Sequence, residues 1–206
     1  MVPATRPIEI MPVTVKLQPT IQLTDEQFFH FCRTNREYRI ERNSRGDAII
    51  MPPVGWETSN KNALIVTALY LWSKQNGTGF VTDSSAGFIL PNGAVRSPDA
   101  AWTRSERLAE LSPDMLHRFL PLAPDFVIEL RSQSDRLGDL QAKMAEYSEN
   151  GVALGWLIDP SLRQVHIYRL GQSVTILDEP DMIAGEPELA GFELDLRPVW
   201  QPIWSG

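Results

Sequence analysis

The chain has 206 residues, 43% of them hydrophobic, and it contains no run of about 18 apolar residues that would cross a membrane. This composition can bury one sizeable core, so we expect a single soluble domain over residues 1–206. The net charge of −7 argues against simple nucleic-acid binding, because affinity for phosphate chains comes largely from Lys and Arg.

The N-terminal segment, about residues 1–23, is rich in Pro and Thr and lacks the continuous apolar stretch of a signal peptide, so it is interpreted as an extension. A short helix is predicted next, because Thr24 and Gln27 have the spacing of a capping box ahead of an apolar run. Cys32 is the only cysteine, which excludes an intrachain disulfide and a cysteine-based zinc site. We therefore expect a cytoplasmic protein in a reducing compartment.

Two extended segments on either side of "NSRGD" predict a β-hairpin that ends at a Pro-Pro pair. The longest predicted helix follows, with Thr58 or Ser59 as its N-cap and Asn76-Gly77 as its end. Its apolar positions cover more than one narrow face. This pattern is typical of a helix packed on a sheet.

Strands and helices alternate in the remainder of the chain. "GFVTD", "AGFIL", "AVRSPDAAW" and "FVIEL" are predicted strands, and residues 103–123 form two short helical pieces or a long loop. A helix over about 135–150, ended by Gly151, precedes the strands "ALGWLID" and "QVHIYRL". A strand, a helix and a strand in that order favour a parallel crossover, so we predict an α/β fold with a mixed β-sheet flanked by helices and added antiparallel hairpins.

The strand "FVIEL" places one glutamate, Glu129, among apolar side chains. A buried carboxylate without a partner is strongly destabilising unless it becomes neutral, so a compensating group is required. Asp99 lies in or at the end of an earlier strand, and the two carboxylates converge if those strands are neighbours. Because carboxylate oxygens suit Mg²⁺ or Mn²⁺, we predict that Asp99 and Glu129 are metal ligands. The alternatives are a turn or cap role for Asp99 and a buried ion pair of Glu129 with Arg131 or Arg136.

Two basic residues are candidates for the same site. Arg131 shares a strand face with Glu129, so it is predicted to contact a phosphate bound by the metal. In the next helix an apolar stripe faces the sheet, and Lys143 and Arg136 lie on its flank, from which a long side chain can reach a site beyond the strand ends. The alternative for Lys143 is a surface pair with Asp139.

Other features have plainer interpretations. Residues 178–195 contain seven of the 26 acidic residues and no Lys or Arg, and a solvated edge is favoured over a partner site. His30, His117 and His166 lack metal-ligand spacing and are assigned structural or surface roles. Tryptophans Trp156, Trp200 and Trp204 suit a homodimer interface or a core equally well.

Four segments in this order, "SPDAAW", "PDFVIELRSQSD", "LGDLQAKMAEYSENGVALGWLIDP" and "VHIYR", resemble the Uma-type restriction endonucleases, a branch of the PD-(D/E)XK nuclease-like superfamily. The likeness covers roughly residues 24–197, the predicted nuclease-like domain. It implies a restriction-endonuclease-like α/β core and Mg²⁺-dependent phosphodiester hydrolysis. Asp99 matches the aspartate of the first motif, and Glu129 matches the acidic residue of the second.

The resemblance departs from the superfamily pattern at one position. The usual lysine two residues after the glutamate is replaced by Arg131, which cannot serve readily as a general base because arginine stays protonated. Lys143 is the candidate substitute from the helix. Glu57 is a candidate for the acidic residue that related nucleases draw from the first core helix, although a plain loop carboxylate is the favoured interpretation.

The function implied is an Mg-dependent endonuclease, with Asp99, Glu129, Arg131 and Lys143 as catalytic residues and nucleic acid, most simply DNA, as the substrate. The alternative is a nuclease-like module that binds nucleic acid or protein without cleaving it. The charge balance and Arg131 both favour this alternative more than they would in a typical nuclease.

Overall fold

In the computed structural model, which describes residues 11–201, the strands form three sheets. The strands are β1 (Val13–Val15), β2 (Arg39–Arg42), β3 (Ala48–Met51), β4 (Gly79–Asp83), β5 (Phe88–Ile89), β6 (Val95–Arg96), β7 (Ala100–Arg104), β8 (Phe126–Leu130), β9 (Leu154–Asp159), β10 (Gln164–Arg169), β11 (Thr175–Asp178), β12 (Met182–Ala184) and β13 (Glu193–Asp195). The helices are α1 (Asp25–Thr34), α2 (Trp56–Asn76), α3 (Ser105–Ala109), α4 (Leu137–Glu149) and α5 (Arg197–Trp200).

The central sheet has the strand order β11-β10-β9-β8-β7-β4. Its strands β8 and β9 are parallel and are joined through α4, which confirms the predicted crossover. All other neighbours in this sheet are antiparallel. The fold is therefore the predicted mixed α/β arrangement, with the crossover at its centre.

Side chains alternate between the two faces of β8, as expected for a strand. Phe126, Ile128 and Leu130 pack into a cluster that includes Ile65 and Leu69 of α2. Val127 packs on the other face, in the cluster that contains buried residues of α4. Glu129 shares this second face, so the strand directs its carboxylate toward α4.

A smaller antiparallel sheet has the strand order β1-β3-β2-β6-β5. It contains the predicted hairpin, β2 and β3, and β1 from the N-terminal segment pairs with β3. The prediction of one strand over "AVRSPDAAW" is wrong, because β6 belongs to this sheet and β7 to the central sheet. The chain crosses from one sheet to the other at Ser97–Asp99, which brings Asp99 to the junction between them.

The helix ends follow local sequence signals with one exception. The predicted capping box of Thr24 and Gln27 is present at α1, and α2 ends at Gly77, whose φ of 72° is left-handed. The predicted N-cap of α2 is wrong: Gly55 is the N-cap, and the N–H of Ser59 already donates to its carbonyl oxygen. Among the helices of residues 11–201, none has the length and apolar character needed to cross a bilayer.

The acidic C-terminal segment is more than a solvated edge. Strands β12 and β13 pair antiparallel, and Ile183, Phe192 and Leu194 are buried in the core. Of the acids between them, Glu186 and Glu193 are exposed and Glu188 is half-buried. Trp156 stacks on Phe192, with 5.5 Å between ring centroids.

Two of the tryptophans assigned to a core or an interface are core residues. Trp156 and Trp200 both belong to the main apolar cluster, and the indole N–H of Trp200 donates to the Pro180 carbonyl. Trp204 lies outside the described residues. A homodimer therefore stays a prediction, and it would not use Trp156 or Trp200 as exposed contacts.

Gly79→Ala should destabilise the protein, because β4 and β7 approach too closely at Gly79 for a side chain. A Cβ there would lie 2.5 Å from the Thr103 carbonyl oxygen and from the Trp102 indole. We expect a loss of about 1–3 kcal/mol in the free energy of unfolding, measured by urea titration. Gly138→Ala is the matched control: nothing lies within 4 Å of a Cβ there, and it should be neutral or stabilising by up to about 1 kcal/mol. Equal stability of the two variants would contradict this expectation.

Candidate active site

Asp99 immediately precedes β7, which pairs antiparallel with β8 through Ala100↔Ile128 and Ala101↔Val127. One step further along this register, Asp99 lies opposite Glu129, and residues opposite each other project from the same face of a sheet. Its Oδ2 accepts a hydrogen bond from the Leu130 N–H at 2.9 Å. The two strands are therefore neighbours, which meets the condition for the two carboxylates to converge, and this backbone contact fixes the orientation of Asp99.

Glu129 is almost completely buried, and its compensating partners come from α4. Its Oε1 lies 2.7 Å from the Lys143 ammonium and accepts a hydrogen bond from the Tyr147 hydroxyl at 3.0 Å. The alternative of an ion pair with Arg131 or Arg136 is wrong. The reason is the alternation of the strand, which turns Glu129 toward the helix that packs on that face.

Lys143 is buried because it follows the apolar stripe that packs α4 on the sheet. Leu140, Met144 and Tyr147 of this stripe belong to one core cluster. The ammonium of Lys143 lies between two carboxylates, Glu129 at 2.7 Å and Glu41 at 2.9 Å. The alternative of a surface pair with Asp139 is therefore wrong.

Glu41, in β2, is the site residue that sequence reasoning missed. It is only 1% exposed, and its carboxylate also accepts from Arg96 Nη1 at 3.0 Å and from the Ser97 N–H at 3.1 Å. Alternation along "RIER" was the available signal: Ile40 packs in an apolar cluster, so Glu41 must lie on the opposite face. Nothing in the local sequence indicates that this opposite face is buried.

Two arginines extend the cluster into a chain of alternating charges. Arg96 donates to Glu146 Oε2 at 2.6 Å as well as to Glu41, so it links β6 to α4. Arg39 lies on the other side, with Nη1 3.3 Å from Asp99 Oδ1 and Nη2 bonded to the Ser97 carbonyl. Arg39 is therefore the guanidinium group in contact with the Asp99 carboxylate.

Two predicted residues make their contacts elsewhere. Arg131 donates to Asp159 Oδ2 at 2.7 Å and to the Asp135 carbonyl at 3.2 Å, which ties the end of β8 to the end of β9. Glu57 lies in the first turn of α2, not in a loop, and pairs with Lys61 at 2.6 Å. The contact predicted between Arg131 and a bound phosphate stays a prediction.

Burial and neighbouring charges shift the pKa values of Glu129 and Glu41 in opposite directions. Burial raises the pKa of Glu129 to about 7; Lys143 opposes the shift, while the nearby Asp99 and Glu41 carboxylates add to it. Burial would also raise the pKa of Glu41, but Lys143, Arg96 and Arg39 outweigh it and lower the pKa to about 2. Glu41 is therefore ionised at neutral pH, whereas Glu129 is poised between its two forms.

The pKa of Lys143 is set by burial and by both neighbouring carboxylates. Burial alone would lower its pKa, but Glu129 and Glu41 reverse the effect and raise it. Lys143 consequently carries its positive charge at neutral pH, so it donates hydrogen bonds and does not accept a proton. Tyr147, buried beside Glu129, has its pKa raised well above the ordinary value, so its hydroxyl remains a donor.

The donor set suits a hard divalent cation. Asp99 Oδ1 accepts a hydrogen bond from Arg39 Nη1 at 3.3 Å, and no hydrogen bond among the described residues uses Glu129 Oε2. Glu129 thus retains one oxygen without a hydrogen bond among these residues, and Asp99 Oδ1 is shared with Arg39. Within residues 11–201 no group of three or more His, Cys, Asp or Glu side chains could hold a metal. Mg²⁺ is commonly bound by two protein carboxylates, with water and phosphate as its remaining ligands.

An open groove of about 690 Å³ leads to this cluster from the side of the smaller sheet. Ile49 and Met51 of β3 line one wall, α4 forms the other, and Glu41 and Lys143 also line it. Arg45 and Arg136 add positive charge to the lining. Lys143 therefore borders the groove and also contacts Glu129.

The stability of Glu129→Gln relative to the native chain should rise with pH. In the folded native chain the pKa of Glu129 is about 7, whereas its ordinary value is 4.5. Between these two pH values the carboxyl group ionises more easily in the unfolded chain, so the native fold loses stability as pH rises. Gln has no such penalty. We expect the free energy of unfolding of the variant, relative to native, to increase by about 2–3 kcal/mol between about pH 5 and pH 8, measured by urea titration.

Glu41→Gln should show the opposite sign. The lowered pKa of Glu41 stabilises the native fold above pH 4.5, and this stabilisation is lost as pH falls toward about 2. The variant should therefore be less stable than the native chain at neutral pH and nearly as stable in acid. Parallel pH profiles for both variants and the native chain would contradict these assignments.

These features define a nuclease-like class of α/β protein: a mixed sheet with a parallel crossover, opposed carboxylates on two central strands and a buried lysine from the crossover helix. The family model of Uma2, described as "Putative restriction endonuclease", matches residues 25–197. The chain therefore belongs to the Uma2 family.

A solved structure supports the same fold. It is described as "a putative nuclease belonging to DUF820" from Anabaena variabilis ATCC 29413, and it superimposes with a TM-score of 0.67. The two chains share 19% identity over 78% of this chain and 89% of the other, a likeness that concerns the fold. A comparison with curated proteins finds no match.

Proposed function

We propose that the chain is an Mg²⁺-dependent endonuclease that hydrolyses phosphodiester bonds of nucleic acid, with DNA as the expected substrate. The observation that carries the proposal is the opposition of Asp99, just before β7, and Glu129 on β8, with the Lys143 ammonium 2.7 Å from Glu129. Membership of the Uma2 family supports the same reaction class.

Asp99 and Glu129 would hold Mg²⁺ or Mn²⁺ through their carboxylate oxygens. When bound, such an ion polarises a phosphoryl oxygen and lowers the pKa of a coordinated water. The Leu130 N–H keeps Asp99 aimed at the site, and the Tyr147 hydroxyl does the same for Glu129. The carboxylates are thus held in place by the fold before any ligand arrives.

Lys143 has three N–H donors and uses two of them on Glu41 and Glu129. The third is available to orient the attacking water or to contact a phosphate oxygen. Because its pKa is raised, Lys143 acts as a charged donor. Arg39, beside Asp99, is placed to stabilise negative charge on the phosphate. The phosphate contact of Arg131 remains a prediction, because its guanidinium group pairs with Asp159.

The test is a cleavage assay with the purified full-length chain. Supercoiled plasmid, linear duplex DNA, single-stranded DNA and RNA are each incubated with Mg²⁺, Mn²⁺ or EDTA. We expect cutting of at least one DNA substrate that requires the metal and stops with EDTA. Absence of cutting of every substrate with both metals would overturn the proposal, and cutting of RNA alone would correct the substrate.

The alternative is a nuclease-like module that binds without cutting. The engagement of Lys143 by two carboxylates favours it, because a lysine held in this way leaves one donor for a substrate. Nucleic-acid binding that EDTA does not change, measured by fluorescence anisotropy, together with no heat of Mg²⁺ binding in calorimetry, would support this function instead. Light scattering in the same buffers tests the predicted homodimer.

A further inference from the structure

Lys143 is anchored from two sheets, although one carboxylate would be enough to compensate its charge. Glu129 approaches it from the central sheet and Glu41 from the smaller sheet, 102 residues away in the chain. Glu41 itself has a second cation, Arg96, at 3.0 Å. The contact between Glu41 and Lys143 therefore goes beyond what charge compensation of Glu41 needs.

Glu41 is itself held rigidly. Its carboxylate accepts from the Ser97 backbone N–H and from Arg96. A lysine has a flexible four-carbon side chain and a freely rotating ammonium, so a single contact with Glu129 would leave its position loosely defined. A second, immobile carboxylate removes that freedom.

The groove gives this contact a functional setting. Lys143 and Glu41 both line it, so this buried pair borders open space. Without Glu41, hydration and other acids that line the groove, among them Asp139 and Glu146, would draw the ammonium outward. Glu41 opposes that movement.

We propose that Glu41 is a positioning residue that holds the Lys143 ammonium against Glu129, in the place from which Lys143 orients the reacting groups. The inference rests on the proposed function for its catalytic consequence. Glu41 lies in a different sheet from the Asp99 and Glu129 carboxylates but belongs to the same site.

The kinetic test is a double-mutant cycle of Glu41→Gln and Lys143→Met. Glu41→Gln should lower kcat by about 10–100-fold, as is typical when a supporting contact is lost, with little change in KM for DNA. If Glu41 acts through Lys143, the same substitution should have no further effect on kcat in the Lys143→Met background. An equal loss in both backgrounds would overturn the proposal, because a purely structural role acts without Lys143.

Glu146→Gln is the matched control. It removes a carboxylate that contacts Arg96 in the same way but does not contact Lys143. We expect its kcat to stay within about two-fold of native, since its contact is not with the lysine. A loss as large as that of Glu41→Gln would assign the effect to Arg96 and overturn the positioning role.

The second measurement does not depend on activity. In ¹⁵N-lysine-labelled protein, the Lys143 ammonium should give a slowly exchanging signal, identified by its disappearance in Lys143→Met. Glu41→Gln should abolish or broaden this signal, whereas Glu146→Gln should retain it. A signal unchanged by Glu41→Gln would overturn the proposal. If the native chain cuts nothing but the signal depends on Glu41, the endonuclease function fails and the positioning role stands.

Discussion

Asp99→Asn and Glu129→Gln should each reduce DNA cleavage by roughly 10³-fold or more, equivalent to about 4 kcal/mol of transition-state stabilisation. Both changes keep the shape of the side chain and remove the negative charge that the proposed metal site requires. The amide oxygen that each substitution introduces can still accept the hydrogen bond of the native carboxylate, so the fold should persist. The measurement is the initial rate of plasmid cleavage in Mg²⁺, with calorimetric Mg²⁺ titration beside it.

Asp125→Asn is the matched control for this pair. Asp125 lies just before the first residue of β8, at the end of the strand away from Glu129. It accepts a hydrogen bond from the Arg104 N–H at 3.0 Å, much as Asp99 accepts one from the Leu130 N–H. Its side chain is 13% exposed, close to the 10% of Asp99. The control should cut DNA at the native rate. Native activity in both Asp99→Asn and Glu129→Gln would eliminate the carboxylate pair as the site.

Lys143→Met should destabilise the protein by about 3–5 kcal/mol at neutral pH, because it leaves the buried carboxylates of Glu41 and Glu129 with one shared cation fewer. The methionine side chain preserves most of the packing of the lysine stem, so the loss reports mainly on charge. Adding Glu129→Gln to this variant should restore part of the stability, since the second change removes one of the uncompensated acids. Urea titrations of the single and double variants measure both effects.

Lys61→Met provides the comparison. Lys61 is also buried on a helix, but its carboxylate partner Glu57 has a side chain that is 49% exposed and can be hydrated when the lysine is lost. We expect a loss of about 1 kcal/mol or less. Equal losses for Lys61→Met and Lys143→Met would show that the central charge cluster does not depend on its lysine.

Much of the architecture is encoded in local patterns. The apolar strand around Glu129, the helix ended by Gly151 and the following strand predicted the parallel crossover, because periodicity and turn residues act over a few positions. The same patterns placed Glu129 on a strand, Asp99 in or at the end of a strand, and Lys143 beside the apolar stripe of α4. The positions of these residues in the elements follow from the sequence.

The sequence by itself therefore determined the elements of the fold and a buried carboxylate that requires a partner. The tertiary structure alone decided that this partner is Lys143. It also brought Glu41 and Arg39 of the smaller sheet to the site and paired Arg131 with Asp159. The physical reason is range. Periodicity reports which face of a strand or helix is apolar, whereas an ion pair across two sheets depends on how those elements pack and how far each side chain reaches.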